Sequence, residues 1–314
     1  MVNKTNVLTI AQLKDEIASF SQFIRTITMN NMIAFEHEFH KRLNRINSMS
    51  ELYPEMRAEL MKYFYDVCGD VLDKSHMINK SKHKPLGYAG DFMTIDNIYT
   101  QKNGSTGIGK VWDDFYHRQV APRSVRNRKS FFTYVFNELC YRKQRPISVL
   151  DIACGPCRDV DETLKNAGIK AYGSYFHCID MDERAISYAQ DMVKGHTAMI
   201  TFKWEVINAF KLRTHEHYDL VWSAGLFDYL NDRLATALIH RMWKWTKEGG
   251  RLIVGNFHPR NKSRNFMEWC GEWFLIHRTE EDIKRIFMDA GVPENKFDVD
   301  REPLGACIFG IAYK

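Results

Sequence analysis

Two acids and a glycine-bearing turn carry the clearest chemistry in this 314-residue chain. The apolar run Val149-Leu150 ends in Asp151, and Ile152-Ala153-Cys154-Gly155-Pro156-Cys157-Arg158 follows as a small turn leading into a segment able to start a helix. Gly155 lets a small ligand approach the backbone closely, because no side chain stands in the way. A second apolar run, Tyr175-Phe176-His177-Cys178-Ile179, ends at Asp180. Strand, tight turn, helix, strand, acid is the layout of an α/β unit that holds a nucleoside. Capping or solvated strand-end acids are the plainer alternative for Asp151 and Asp180.

A parallel sheet has to position these residues, and from Ser148 the chain alternates strand and helix. Candidate strands are Ser148–Asp151, Tyr175–Asp180, Thr201–Val206, Tyr218–Ser223, Arg251–Phe257, Phe297–Arg301 and Ala306–Tyr313. Several are almost uniformly apolar, as strands covered on both faces should be. The clearest helices between them are Asp232–Lys247, stopped by Gly249-Gly250, and Glu280–Ala290, stopped by Gly291. The fold class is therefore α/β. Ahead of it, Leu8, Leu13, Ile17, Phe20, Ile24 and Ile27, then Leu52, Met56, Leu60, Met61, Phe64 and Val67, recur at helical spacing. Gly87, Gly90, Gly104, Gly107 and Gly109 punctuate residues 83–110, which read as a loop or lid. Residues 111–140 return to helix. The expected division is a helical N-terminal extension with its glycine-rich lid over 1–145, and the sheet domain over 146–314. No internal repeat is evident.

Composition narrows the function. Apolar residues make up 45% of the chain, enough for a real core in one large or two modest domains. No apolar stretch approaches the roughly 20 residues of a membrane helix. Met1-Val2-Asn3-Lys4-Thr5 leads into a polar, mixed-charge segment and not a secretory signal, so a cytoplasmic protein with no membrane span is expected. Seven cysteines are scattered along the chain. Cys154 and Cys157 have redox spacing, but small buried residues in a ligand-wrapping turn is the plainer reading. No metal ligand set is expected, because no second cysteine pair stands nearby. The formal charge of +5 gathers partly at Lys80, Lys82, His83 and Lys84, at Arg123, Arg126, Arg128 and Lys129, and at Arg142, Lys143 and Arg145. These runs could steer an anionic substrate. For most of them an ordinary solvated surface is the plainer reading.

Residues 148–314 resemble the class I S-adenosylmethionine-dependent methyltransferases. Asp151-Ile152-Ala153-Cys154-Gly155 matches that family's acid followed four residues later by glycine, with Ala153 and Cys157 where the family often has flanking glycines. The three-glycine spacing that seats a pyrophosphate on a helix N-terminus in nicotinamide dehydrogenases is not present. The resemblance implies a seven-stranded Rossmann-like methyltransferase sheet with an N-terminal helical cap and lid, and S-adenosyl-L-methionine as cofactor. It implies that Asp151, Ala153 and Gly155 cradle the methionine half. Asp180, followed by Met181, would accept the ribose hydroxyls, since a carboxylate offers several acceptor sites to vicinal donors. Asn208, Ala209 and Phe210 would lie beside adenine, although asparagine is also common in plain turns. Ser223 opens Ser223-Ala224-Gly225-Leu226-Phe227, at the strand end where the family's methyl donor meets its acceptor.

A narrower resemblance rests on His83-Lys84-Pro85-Leu86-Gly87-Tyr88-Ala89-Gly90-Asp91-Phe92, on Ile98-Tyr99, and on Ala121-Pro122-Arg123-Ser124-Val125-Arg126-Asn127-Arg128. These are similar to bacterial carboxyl O-methyltransferases, some of which make methyl esters of 3-hydroxy fatty acids. The implied reaction esterifies a small-molecule carboxylic acid. Such an acid, with a pKa of about 4, is already an anion at neutral pH and needs no general base. It needs hydrogen-bond donors, and Tyr88, His117, Arg126 and His258 are the candidate catalytic residues. Three have a plainer alternative, a packed lid tyrosine, a structural histidine and a surface arginine, while His258 follows the fifth strand at a carboxyl end where open α/β sheets place ligands. His177 reads as core. The aromatic run Phe266–Leu275 could wall an acyl pocket, or form a helix packed on the N-terminal helices. Within the same fold a phenolic or amine acceptor stays open, as does cyclopropane-type lipid modification. A non-catalytic S-adenosylmethionine-binding protein is the alternative of a different class. Nucleic acid is not expected as a substrate, since Ser223-Ala224-Gly225-Leu226 lacks the Asn/Asp-Pro-Pro-aromatic turn of base-amino methylases. A homodimer is left open.

Overall fold

The computed structural model describes residues 9–167 and 171–314, so Leu8 of the first helical pattern, the Met1–Thr5 segment and residues 168–170 of the sheet domain lie outside it. The chain forms two compact units.

The helical unit comprises Met1–Gly90, Gln101–Gln119 and Ser263–Phe274. It contains α1 (Ile10–Arg25), α2 (Met32–Ser50), α3 (Arg57–Leu72), α4 (His76–His83), α6 (Gly107–Arg118) and α11 (Arg264–Gly271). Thr9 and Gln12 close a capping box at the start of α1. The anticipated face of α1, Leu13, Ile17, Phe20 and Ile24, is buried. Phe20 packs on Phe39 and Phe64 with ring centroids 5.2 and 5.6 Å apart. Leu52 departs from the expected pattern. It is 64% exposed, in the turn after α2, where Pro54 opens a short 3-10 turn in place of a continuing helix. The aromatic run around α11 packs within this unit. Phe266 meets Phe39 and Phe115, and the Trp269 indole N–H donates to Asn47 Oδ1 at 3.0 Å. Of its two readings, the structure takes the packed helix.

The sheet unit comprises Asp91–Thr100, Val120–Lys262 and Leu275–Lys314. Its strands are β1 (Ser148–Ile152), β2 (Tyr175–Asp180), β3 (Thr201–Val206), β4 (Tyr218–Ser223), β5 (Thr246–Phe257), β6 (Phe297–Arg301) and β7 (Cys307–Tyr313). They lie in the order β3-β2-β1-β4-β5-β7-β6. β1 to β5 run parallel, and β7 is antiparallel to both neighbours. The order reverses between β1 and β4, and the crevice beyond the carboxyl ends of such a pair is where open α/β sheets hold ligands.

Alternation along the strands feeds two cores. Val149, Leu220 and Trp222 face one core, with Phe132 and Phe136 of α7 (Val120–Lys143), Val160 of α8 (Arg158–Ala167) and Ile186 of α9 (Glu183–Val193). Leu150, Ile152 and Val221 face the other, with Leu238 and Met242 of α10 (Asp232–Trp245) and Ile283 and Phe287 of α12 (Glu280–Asp289).

Three boundaries differ from expectation. The helix expected over 111–140 breaks at Gln119, because Pro122 lacks the N–H that would bond the carbonyl of Arg118 and its ring crowds that carbonyl. Gly249-Gly250 does not follow a helix that runs to Lys247; both lie inside β5, at a bulge opposite Tyr218 and Leu220. Gly249 takes φ +69°, and a Cβ on Gly250 would sit 2.9 Å from the Asp219 carbonyl oxygen. Within the glycine-punctuated stretch, α5 (Phe92–Thr100) is helical, N-capped by Asp91, whose Oδ1 accepts the Thr94 N–H at 2.9 Å.

Candidate functional site

The turn after β1 holds three left-handed residues in five: Ala153 (φ 56°), Gly155 (φ 54°) and Cys157 (φ 51°). A non-glycine residue there costs about 1–3 kcal/mol, and such strain collects at ligand clamps. The strained alanine and cysteine occupy the positions where the resembled family places glycine. A Cβ built on Gly155 meets nothing within 4 Å, so the turn faces open space.

Backbone donors tie this turn to β2. The Cys154 N–H donates to the Ile179 carbonyl at 3.1 Å, and the Gly155 N–H donates to Asp180 Oδ2 at 3.0 Å. Asp180 Oδ1 accepts the Asp182 N–H at 2.9 Å. Burial raises the Asp180 carboxyl above its ordinary range, against the pull of these N–H groups. Asp151 is only 2% exposed, and its Oδ2 has no hydrogen-bond partner. Burial pushes its carboxyl well up, and Asp159, Cys154 and Asp180 add to the shift. A buried acceptor left unsatisfied costs about 1–3 kcal/mol, which a donor brought by a ligand would relieve. Asp159, also buried, is raised to about 6 by burial, with the Val160 N–H opposing.

α5 lines the same region of the sheet unit. Asp96 takes both nitrogens of an Arg158 fork, Nη2 at 3.0 Å, and accepts the Tyr188 hydroxyl at 2.8 Å. This holds the first residue of α8 in place. Tyr99 lies in the field of Asp159, Arg128, Asp151 and Asp96, and burial raises its hydroxyl's pKa.

A second polar cluster sits at the ends of β4 and β5. The Ser223 hydroxyl donates to the Ile152 carbonyl at 2.9 Å, so Ser223 ties β4 to β1. Arg128 of α7 is 5% exposed. Its Nη1 donates to the Ala224 carbonyl at 2.5 Å and lies 3.5 Å from Asp228 Oδ2, while Nε has no partner. The guanidinium stands 5.3 Å from the Phe257 ring centroid. Asp228 is raised to about 6 by burial, partly offset by Arg128 and by the Phe257 N–H at 2.6 Å. Arg278 braces the cluster. It donates to the Phe227 carbonyl at 2.8 Å, to Asn256 Oδ1 at 2.7 Å and to the Leu230 carbonyl, and it pairs with Asp232 at 2.9 Å.

The anticipated donors fall differently. His258 is buried with both ring nitrogens engaged: Nδ1 accepts the Arg260 N–H at 3.0 Å, which leaves the ring proton on Nε2, 2.9 Å from Glu280. Its Nε2–H points to Glu280 in this arrangement. Arg126 is half-buried, with Nη1 3.4 Å from the Ile98 carbonyl. His177 is buried in the sheet against the Tyr218 hydroxyl at 2.6 Å. Asn208 is exposed, and its Oδ1 accepts the Phe210 N–H at 2.9 Å in an Asx turn, so its acceptor side is committed locally. Ala209 and Phe210 pack partly buried on the core, and Met181 is 72% exposed beyond β2. In the helical unit, Tyr88 is 39% exposed between Gly87 and Gly90, both at positive φ. His117 is buried on α6, with Nε2 3.2 Å from the Lys102 carbonyl oxygen.

Arg128, Asp159 and Asp228 were not expected as site residues. Arg128 does carry a signal. Ala121, Val125, Arg128, Phe132, Val135 and Leu139 follow one helical stripe, and all are buried. A charged residue on an apolar stripe is the trace that a run of basic residues conceals.

Residues 149–250 match the family model described as a methyltransferase domain. No curated protein matches the chain. Among solved structures, the chain is similar to a possible exported protein from Bordetella parapertussis, at 21% identity over 76% of this chain and 85% of that one, with a TM-score of 0.61. It is also similar to an O-methyltransferase candidate from Nostoc punctiforme PCC 73102, at 16% identity over 78% and 72% of the two chains, TM-score 0.50. Magnesium protoporphyrin IX methyltransferase from Synechocystis PCC 6803 with bound S-adenosylhomocysteine aligns at 17% identity over 70% and 92%, TM-score 0.48. The chain has the class I S-adenosylmethionine-dependent methyltransferase fold, a mixed seven-stranded Rossmann-like sheet with N-terminal helices. The donor set fits that cofactor: an unsatisfied buried acceptor at Asp151, an open turn at Gly155, and a carboxylate at the tip of β2.

Proposed function

We propose that this protein transfers a methyl group from S-adenosylmethionine to the carboxylate of a small organic acid, 3-hydroxy fatty acids among them. The cofactor supplies a methyl group already activated by a sulfonium, so the chain's task is to orient and to exclude water. Asp151 holds the donor end of the methionine half, and Asp180 accepts the ribose hydroxyls with the lone pairs its two backbone donors leave free. Asn208 presents its amide nitrogen toward adenine.

The observation that carries the acceptor is Arg128: a buried cation at the end of β4 whose Nε–H has no partner. A guanidinium offers a fork of donors matched to a carboxylate. It orients the carboxylate so that a remaining oxygen lone pair attacks the methyl group, with no base required. Arg278, Asn256 and the His258–Glu280 pair hold the surrounding loops. Tyr88 and His117 are kept as proposed substrate donors, tested by Tyr88→Phe and His117→Gln through turnover measured against cofactor affinity.

A phenolic or amine acceptor is the second reading, favoured by Asp228, whose value of about 6 suits a general base. One experiment separates them. The purified chain is incubated with methyl-labelled S-adenosylmethionine and a panel of free acids, phenols and amines. Label on an acid that alkali releases supports the ester. Label that survives alkali, on a phenol or amine, overturns it.

A further inference from the structure

Three cysteines converge behind the cofactor turn. Cys154 and Cys157 belong to the turn itself, where the Cys157 N–H donates to the Cys154 carbonyl at 3.1 Å. Cys178 comes from β2 and is the register partner of Asp151 across the sheet. Sequence spacing offered no second cysteine pair; the parallel pairing of β1 and β2 supplies the third thiol. One ligand atom each from Asp151, Cys157 and Cys178 lies within 4.8 Å of the others, and all three residues are buried.

Two thiols and a carboxylate are a donor set for a thiophilic divalent ion. Around zinc, with Zn–S of about 2.3 Å and Zn–O of about 2.0–2.2 Å, tetrahedral ligand atoms stand roughly 3.5–3.8 Å apart. The observed group, with its ligand atoms within 4.8 Å of one another, would contract to reach that spacing. Asp151 Oδ2 is buried without a partner, and an ion at this place would satisfy it.

We propose that Asp151, Cys157 and Cys178 bind one Zn²⁺ or Cd²⁺ ion, with a water molecule as the fourth ligand, and that the ion and S-adenosylmethionine exclude each other. The two thiol protons, and the Asp151 proton where that carboxyl is protonated, leave to solvent as the ion binds. Exclusion follows because both occupants need Asp151, and because a dication repels the cofactor's ammonium and sulfonium. That half rests on the cofactor role given to Asp151 above; the ion site does not.

X-ray absorption at the zinc edge on the full chain, loaded with one equivalent of Zn²⁺, tests the site without any substitution. The expected shell has at least two sulfurs at about 2.3 Å and a lighter ligand at about 2.0 Å. A shell of nitrogen and oxygen alone overturns the site. Cd²⁺ titration, followed by the thiolate charge-transfer band, should weaken roughly tenfold or more in Cys178→Ser and stay unchanged in Cys68→Ser. Equal affinity in Cys178→Ser and the unaltered chain overturns it as well. If Cys178→Ser does not fold, the absorption measurement decides. Saturating Zn²⁺ should raise the Kd for S-adenosylhomocysteine roughly tenfold or more, and an unchanged Kd overturns the exclusion. Failure of S-adenosylhomocysteine to bind the metal-free chain overturns the methyl-transfer reading instead, and leaves the sulfur shell to judge the ion site.

Discussion

The backbone N–H of Gly155 donates to Asp180 Oδ2 at 3.0 Å, so the turn after β1 and the acid at the tip of β2 form one unit. The carboxylate that would hold the ribose also sets the shape of the turn that would hold the methionine half. Asp180→Ala should therefore weaken S-adenosylhomocysteine binding by about 1–3 kcal/mol, the scale of a lost buried hydrogen-bond partner. Asp180→Asn, which keeps an acceptor, should lose less. Calorimetry measures both, and equal affinity in all three proteins would contradict the arrangement.

Asp151 predicts a proton-linked affinity. Burial raises its carboxyl, so part of the apo population is protonated above the usual carboxylate range, while a bound ammonium favours the anion. Affinity should rise with pH through that window, and binding should release a proton, seen as different heats in buffers of different ionisation enthalpy. Asp151→Asn should bind more weakly and show neither effect. A proton release that persists in the variant would assign it to another group.

Asp228 makes a prediction about stability. Its folded value of about 6 lies above an unfolded value of about 3.9, so the native state holds more protons between them. Stability from this group is complete below about pH 4 and is lost as pH rises through about 6, on the order of 3 kcal/mol in all. Asp228→Asn is neutral throughout. Its melting temperature relative to the unaltered chain should climb by several degrees from about pH 4 to about pH 7. A difference that stays flat, or falls, would show that Asp228 is not held up by burial.

Arg128 separates binding of the acceptor from binding of the cofactor. Arg128→Lys keeps the charge but loses the fork, and should raise KM for the acid with a cofactor Kd nearly unchanged. Arg128→Met should lower kcat/KM about 100-fold or more, the cost of a lost charged hydrogen bond of about 3 kcal/mol. Equal losses in cofactor and acid binding would make Arg128 a structural residue.

β2 and β4 were legible as short apolar runs ending in a polar residue, β3 and β6 as alternating runs, and all four begin and end where the sequence places them. The turn was legible from Asp151 and Gly155. Three things were hidden, each for a physical reason. Arg128 looked like surface charge because its burial depends on the stripe of α7, not on its basic neighbours. Gly249-Gly250 suited a helix stop and a bulge equally, and only the pairing with β4 distinguishes them. His258 was correctly placed at a strand end, but the Arg260 N–H that occupies its Nδ1 is a tertiary detail. His258→Gln should accordingly keep turnover within about tenfold while lowering the melting temperature, since its ring holds a loop.

The central claim is that carboxylates at the tips of β1 and β2 grip one S-adenosyl compound. Isothermal calorimetry of the unaltered chain with S-adenosylhomocysteine tests it most directly. The account predicts saturable binding of one molecule per chain, with the affinity lost or sharply reduced when Asp151 and Asp180 are both replaced. No measurable association with the intact protein, or undiminished binding by the double variant, would contradict it.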